Sequence, residues 1–134
     1  MEINMRIWNQ NRTIIVTLDE NTDRYSVTVE GENWNWSEDY SPSIETAEGK
    51  VLFHEAFTVT RQEISMGIGM GIRSFYQGKE ELPLWKDTSF QTMVWLEETT
   101  GNVYFEWIPV EDGKAEIKKV LWQGPMEFRR VLFR

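Results

Sequence analysis

The sequence predicts an all-β fold, an antiparallel β-sandwich of about eight or more strands. Two observations carry this. Apolar residues recur with a period of two in one run after another, and clusters of turn-forming residues interrupt those runs about every 8–12 residues. A third observation is negative: no stretch sustains a helical period over three turns. Helix is confined to a turn or two around residues 78–88.

The elements follow in order. Residues 3–8 form a first strand, with Asn9-Gln10-Asn11 as its turn. Ile14, Val16 and Leu18 alternate with Thr13, Ile15 and Thr17, and the polar stretch Asp19 to Asp23 breaks the run. Tyr25, Val27 and Val29 then alternate up to Gly31, which reads as the return strand of a hairpin. Trp34, Trp36 and Tyr40 fall at even positions of an extended segment, and Pro42 with residues 45–50 makes a polar connection. Val51 to Ser65 is β-branched and alternating, and a glycine run, Gly67, Gly69 and Gly71, follows it. Residues 90–96, 102–108 and 114–122 are three further strands, joined by turns at Thr99 to Asn102 and Glu111 to Gly113. No repeat or linker divides the chain, so residues 1–126 are expected to be a single domain.

Composition removes several functions. With no cysteine there is no disulfide, thiolate nucleophile or Cys-based zinc site, and with His54 alone no multi-histidine metal centre. No cofactor is expected. A formal charge of −8 repels phosphate backbones, so nucleic acid is not an expected partner. No apolar run reaches membrane-spanning length, and Met1-Glu2-Ile3-Asn4 lacks the features of a signal peptide. No membrane partner is expected, and a cytoplasmic location is the default. Seven Trp and four Tyr are many for this length, and they are either large core pieces or flat platforms for a ligand.

Gly67-Ile68-Gly69-Met70-Gly71 is not a dinucleotide fingerprint. Ile72 stands where the third glycine belongs, and no helix pattern follows. Alternating glycines on a strand would bare one face to a backbone, an aromatic ring or a sugar. The adjacent acids Glu80-Glu81 and Glu97-Glu98 point to opposite sides of an extended chain and cannot flank one glycosidic bond. His54 has no nucleophile to activate and reads as structural. Trp95, Tyr104, Phe105 and Trp107 lie in strands, where alternation buries about half of them. Trp34, Trp36, Tyr40 and Trp85 sit among Asn, Ser, Pro and Lys, where exposed rings would suit a sugar face or cap the sandwich core.

Residues 67–78, Thr92 to Glu97, Thr100 to Pro109 and Val120-Leu121-Trp122-Gln123-Gly124-Pro125-Met126-Glu127-Phe128 together resemble the N-terminal β-sandwich region of bacterial glycoside hydrolases with a TIM-barrel catalytic domain. The nearest are those similar to glycoside hydrolase family 31. The resemblance covers about half of the chain, and residues 1–66 do not take part in it. It implies a non-catalytic sandwich that packs on a barrel and lends a glycine-bearing loop to the wall of a carbohydrate pocket. The barrel strands supply the nucleophile and the acid/base. Gly67, Gly69, Gly71, Arg73 and Tyr76 would belong to that wall, and no catalytic residue falls in this chain. Replacing Gly69 by valine in the full-length enzyme would then reduce activity more than folding stability. The Tyr-Gly-Leu-Gly-Glu loop of typical members is absent, which implies a divergent branch or another glycosidase family.

The last eight residues, 127–134, hold three of the fourteen basic residues and break the pattern before them. The codons GAG TTC AGA CGT GTG CTC TTC CGA of a common sequencing adapter spell the same eight residues, so a non-native tail on a fragment of a longer chain is expected. Two other functions fit the composition. One is a free-standing carbohydrate-binding module with Trp34, Trp36 and Trp85 as its platform. The other is a small acidic inhibitor or immunity-type protein steered to a basic partner by its charge.

Overall fold

The computed structural model describes residues 4–35, 41–65, 67–122 and 127–128. It is almost entirely antiparallel sheet. The strands are β1 (Asn4–Trp8), β2 (Ile14–Asp19), β3 (Arg24–Val29), β4 (Glu32–Asn35), β5 (Ser43–Thr46), β6 (Gly49–Leu52), β7 (Phe57–Ser65), β8 (Gly69–Gly78), β9 (Ser89–Glu97), β10 (Val103–Glu111), β11 (Ile117–Leu121) and β12 (Glu127–Phe128). One helical turn, α1 (Phe53–Ala56), separates β6 from β7. Among the described residues the strands make three four-stranded sheets in the orders β1-β2-β3-β4, β10-β9-β8-β7 and β12-β11-β5-β6. A third four-stranded sheet is thus added to the two of a simple sandwich.

The period-two pattern decides which side of each strand is buried. In β9, Phe90, Thr92, Val94 and Leu96 point inward, while Gln91, Met93, Trp95 and Glu97 form the opposite face. Val16 and Leu18 of β2, with Tyr25 and Val27 of β3, bury the matching face of the first sheet. Between the sheets lies an aromatic core. Phe90 stacks on Tyr76 at a centroid distance of 4.6 Å and meets Phe53, Phe57 and Trp107 within 5.4 Å. Tyr25, Phe105 and Trp122 meet edge to face, so one cluster touches β3, β10 and the end of β11. Such pairs add about 0.5–1.5 kcal/mol each beyond the area they bury.

A buried ion pair fastens the first sheet to the second. Asp23 closes the β2–β3 hairpin in a left-handed conformation, φ 64°, and only 1% of it is exposed. Its Oδ1 accepts hydrogen bonds from the Arg61 guanidinium and from the Tyr76 hydroxyl (2.7 Å). Arg61 also donates to Ser74 Oγ at 2.9 Å. Removing one member of such a set would strand a charge away from water.

Two expectations about local structure change. The run Val51 to Ser65 is not one strand, because α1 interrupts it. Phe53 and Ala56 lie three apart and both turn into the core, while the Glu55 carboxylate accepts the Leu52 N–H at 2.9 Å. His54 therefore sits on a helical turn and not on a strand. Residues 79–87 form successive turns and no helix. The Leu82 N–H reaches Lys79 O and the Trp85 N–H reaches Leu82 O, and Pro83, which has no N–H, prevents a regular ladder. Glu127 and Phe128 pair with Leu121 and Val120, so the third sheet runs past residue 126. The rest of the expected tail, 129–134, lies outside the described residues.

Candidate functional site

Three hairpin ends meet at one end of the sandwich and enclose an open groove of about 360 Å³. The turn after β1 contributes Trp8 and Gln10. The β7–β8 turn contributes Ser65, Gly67 and Ile68, and the start of β8 gives Gly69 and Met70. Glu98, from the β9–β10 turn, completes the lining.

Local chemistry holds each piece. The Asn9 side chain braces the first turn, accepting the Ile14 N–H at 3.0 Å and donating to Thr13 Oγ1 at 2.9 Å. The turn leaves Trp8 36% exposed, with the Arg12 guanidinium 4.5 Å from its ring centroid. The Glu98 N–H donates to Ile68 O at 2.8 Å, and the Gln10 N–H donates to both Glu98 carboxylate oxygens at 2.8 and 3.1 Å. These bonds tie three separate turns together and fix the orientation of the carboxylate. Glu97 turns elsewhere, accepting from Thr100 Oγ1 and the Tyr104 hydroxyl. The groove thus offers one held acceptor, an indole face, the apolar Ile68 and Met70, and side-chain-free backbone at two glycines. That set suits contact with hydroxyl-rich, C–H-bearing rings. It is not the facing carboxylate pair that glycoside hydrolysis requires.

The residues singled out in the sequence do not all meet here. Gly67 and Gly69 line the groove. Gly67 is not part of a strand, however. It stands exposed at the bend before β8 with φ +72°, a conformation that favours glycine. Gly69 owes its identity to the neighbouring strand, since an added Cβ would lie 1.8 Å from Leu96 O. Valine there has no room unless the β8–β9 pairing shifts, so a substantial cost to folding is expected at this position. Gly71 is buried, paired across the sheet with Trp95 on one side and Ile64 on the other. Arg73 lies half-buried on the outer face and donates to Gln62 Oε1 at 3.3 Å.

Tyr76 and Trp85 are core residues. Tyr76 is 2% exposed, and burial, followed by the Asp23 carboxylate, pushes its phenol well above the ordinary range. Tyr25 is pushed up in the same direction by burial. Trp85 is 7% exposed and packs edge-on against Phe57, so it does not provide an exposed platform. The backbone of Trp34, in β4, pairs with Val27 of β3, but its side chain, like Trp36 and Tyr40, lies outside the described residues. Strand alternation sorts the other aromatics as expected. Trp107 goes inside, while Trp95 and Tyr104 stack on the outer face at 4.3 Å and 19°.

The sequence reading missed Trp8, Gln10 and Glu98. One signal was available for Trp8: an indole that ends a strand immediately before a polar turn carrying an arginine. Nothing local marks Gln10 or Glu98, because their contact spans 88 residues.

No protein-family model matches the chain, and no curated protein matches it. Solved structures do. The chain is 29% identical to α-N-acetylgalactosaminidase NagBb from Bifidobacterium bifidum in its GalNAc complex, with a TM-score of 0.77. The match covers 90% of this chain and 18% of that one. The same protein's complex with Gal-NHAc-DNJ matches at 29% identity and a TM-score of 0.78, and its ligand-free form at 30% and 0.74, with the same coverage. The chain thus spans less than a fifth of the length of the structures it is similar to.

Proposed function

We propose that this chain is the non-catalytic β-sandwich domain of a carbohydrate-active enzyme, an α-glycosidase, and a piece of a longer protein. In this reading it packs on a catalytic barrel and lends the β7–β8 turn at Gly67 and Ile68 and the start of β8 at Gly69, with Glu98 and Trp8, to the wall of the substrate pocket. The likeness to α-N-acetylgalactosaminidase over nine-tenths of the chain carries the reading. In this reading the substrate class of the whole protein is an α-linked N-acetylhexosaminide. A barrel similar to glycoside hydrolase family 31 is its finer form.

Surface chemistry supports it. Trp8 and Ile68 are exposed beside the groove, and Tyr104, Ile108 and Val110 of β10 are exposed along the sheet. Apolar side chains in water at two places suit a domain that is covered by something larger. A free-standing binding module built on a three-tryptophan platform fits less well, because Trp85 is in the core. An acidic inhibitor with all of its aromatics buried fits less well for the opposite reason.

The test is the genomic reading frame that contains this sequence. It should continue into a barrel with two active-site carboxylates, and the whole protein should hydrolyse an aryl α-N-acetylgalactosaminide. The present chain alone should show no turnover. A frame that closes directly after this sequence, or a whole protein inert toward α-glycosides, would sink the proposal.

A further inference from the structure

We infer that the groove at the open end selects an acetamido group, with Glu98 accepting its N–H while Ile68 and Met70 take its methyl. This rests on the reading that the groove faces a sugar, and it names the residues that choose which sugar.

The groove has one charged acceptor, and that acceptor is already set in place. The Gln10 N–H donates to both Glu98 carboxylate oxygens at 2.8 and 3.1 Å, and the Glu98 N–H donates to Ile68 O at 2.8 Å. An ionised carboxylate has about four acceptor positions, so these bonds orient Glu98 without filling it. Among the described residues no ion pair forms at Glu98. The Arg12 guanidinium of the adjoining turn lies over the Trp8 ring instead. A ligand that donates to Glu98 therefore meets a group whose ordering is complete, which favours binding.

Beside this carboxylate the wall is apolar. Ile68 is 51% exposed, the most of the large hydrophobic side chains described, and Met70 lines the same groove. A fitting group must carry a donor and an apolar end close together. A hydroxyl donates to Glu98 but leaves Ile68 and Met70 in water. An ammonium is strongly hydrated and gains nothing from two apolar side chains. In a trans amide, by contrast, the N–H and the acyl methyl lie on the same side of the C–N bond. One acetamide can thus meet the carboxylate and the apolar wall together, with its carbonyl oxygen turned away from the negative charge. The groove volume of about 360 Å³ lies at the low end of ligand sites, which run from roughly 300 to 1,000 Å³. That is room for one sugar unit.

The chain can be tested as it stands. Methyl α-N-acetylgalactosaminide, methyl α-galactoside and methyl α-galactosaminide differ at one ring carbon, which bears an acetamido, hydroxyl or ammonium group. At high millimolar concentration the first should move the Gln10 and Ile68 amide resonances of the labelled chain. Saturation transferred from the protein should fall most strongly on its acetyl methyl protons. The other two sugars should do neither. Glu98→Ala should weaken binding about tenfold or more, the scale of a hydrogen bond to a charged group. Ile68→Ser should weaken it about fourfold, the scale of one buried methylene. Ile108→Ser, an exposed change on β10 outside the groove, should leave binding unchanged. The dispersion of each amide spectrum shows that the variant is folded. Equal binding of the galactoside, preference for the galactosaminide, no contact at the acetyl methyl, or an unchanged Glu98→Ala would each overturn the inference. None of these outcomes touches the glycosidase reading, which a closed reading frame sinks whatever the titration shows.

Discussion

The two ends of β8 carry glycines for the same reason in opposite surroundings. At the open end, a Cβ on Gly69 would lie 1.8 Å from Leu96 O beside the groove. At the closed end, a Cβ on Gly78 would lie 1.6 Å from Trp85 O, under the aromatic core. In the sequence the alternating glycines at 67–71 read as a candidate site, and the single Gly78 does not. Yet Gly69 and Gly78 are alike: each is a place where a backbone carbonyl occupies the space a side chain would need. Gly67 differs from both, with open space around its missing Cβ and a positive φ. A glycine beside a groove is therefore not by itself a ligand contact. In this hairpin cluster the groove follows from where the turns converge.

The largest expected effect tests that equivalence. Gly69→Ala and Gly78→Ala should each cost about 3 kcal/mol or more, the upper range for forcing atoms into filled space, read as a shift in the urea midpoint. A tolerated Gly69→Ala would separate the two ends and return Gly69 to a role in the groove.

Next comes the chemistry at the closed end. Tyr76→Phe removes the hydroxyl that donates to Asp23 at 2.7 Å and should cost about 1–3 kcal/mol, the range for leaving a buried polar group short of a partner. The phenols of Tyr25 and Tyr76 are both raised above the ordinary value of 10.0. Their contribution to stability is thus fully present below pH 10 and is lost as the pH climbs past it toward the folded-state values. Phenolate absorbance followed with pH should show these two tyrosines ionising only as the chain unfolds.

Smaller effects belong to the open end. Gly67→Ala has room for its methyl group and should cost about 1 kcal/mol, from the left-handed backbone alone. Glu98→Gln should change global stability by about 0.5 kcal/mol or less, as exposed substitutions do, while hydrogen exchange at the Gln10 amide speeds up. If Glu98→Gln cost as much as Tyr76→Phe, the groove would be part of the folding core rather than a surface feature.

Much of the fold was legible. The β2–β3 hairpin, the inward set Phe90, Val94 and Leu96, and the outward Trp95 and Tyr104 all follow from alternation, which records the pleat directly. The helical turn at Phe53–Ala56 was not. Phe53 and Ala56 are spaced for a single turn, and one turn is too short to register as a period. The site was half legible. Gly67 and Gly69 were named and do line the groove, whereas Trp8, Gln10 and Glu98 were not. Trp85 was misplaced because its polar neighbours in sequence are not its neighbours in space, where Phe57 covers it.

By itself the sequence determined what strand periodicity and composition can carry: an all-β chain, which residues of each strand share a face, and the absence of cysteine chemistry. These are local properties, fixed by the two-residue repeat and by residue type. Only the tertiary structure decided the three-sheet arrangement, the Asp23–Arg61–Tyr76 fastening between sheets, and the meeting of Gln10 with Glu98 at the groove. Each of these joins residues far apart in the chain, and strand pattern says which way a side chain points without saying what it will meet.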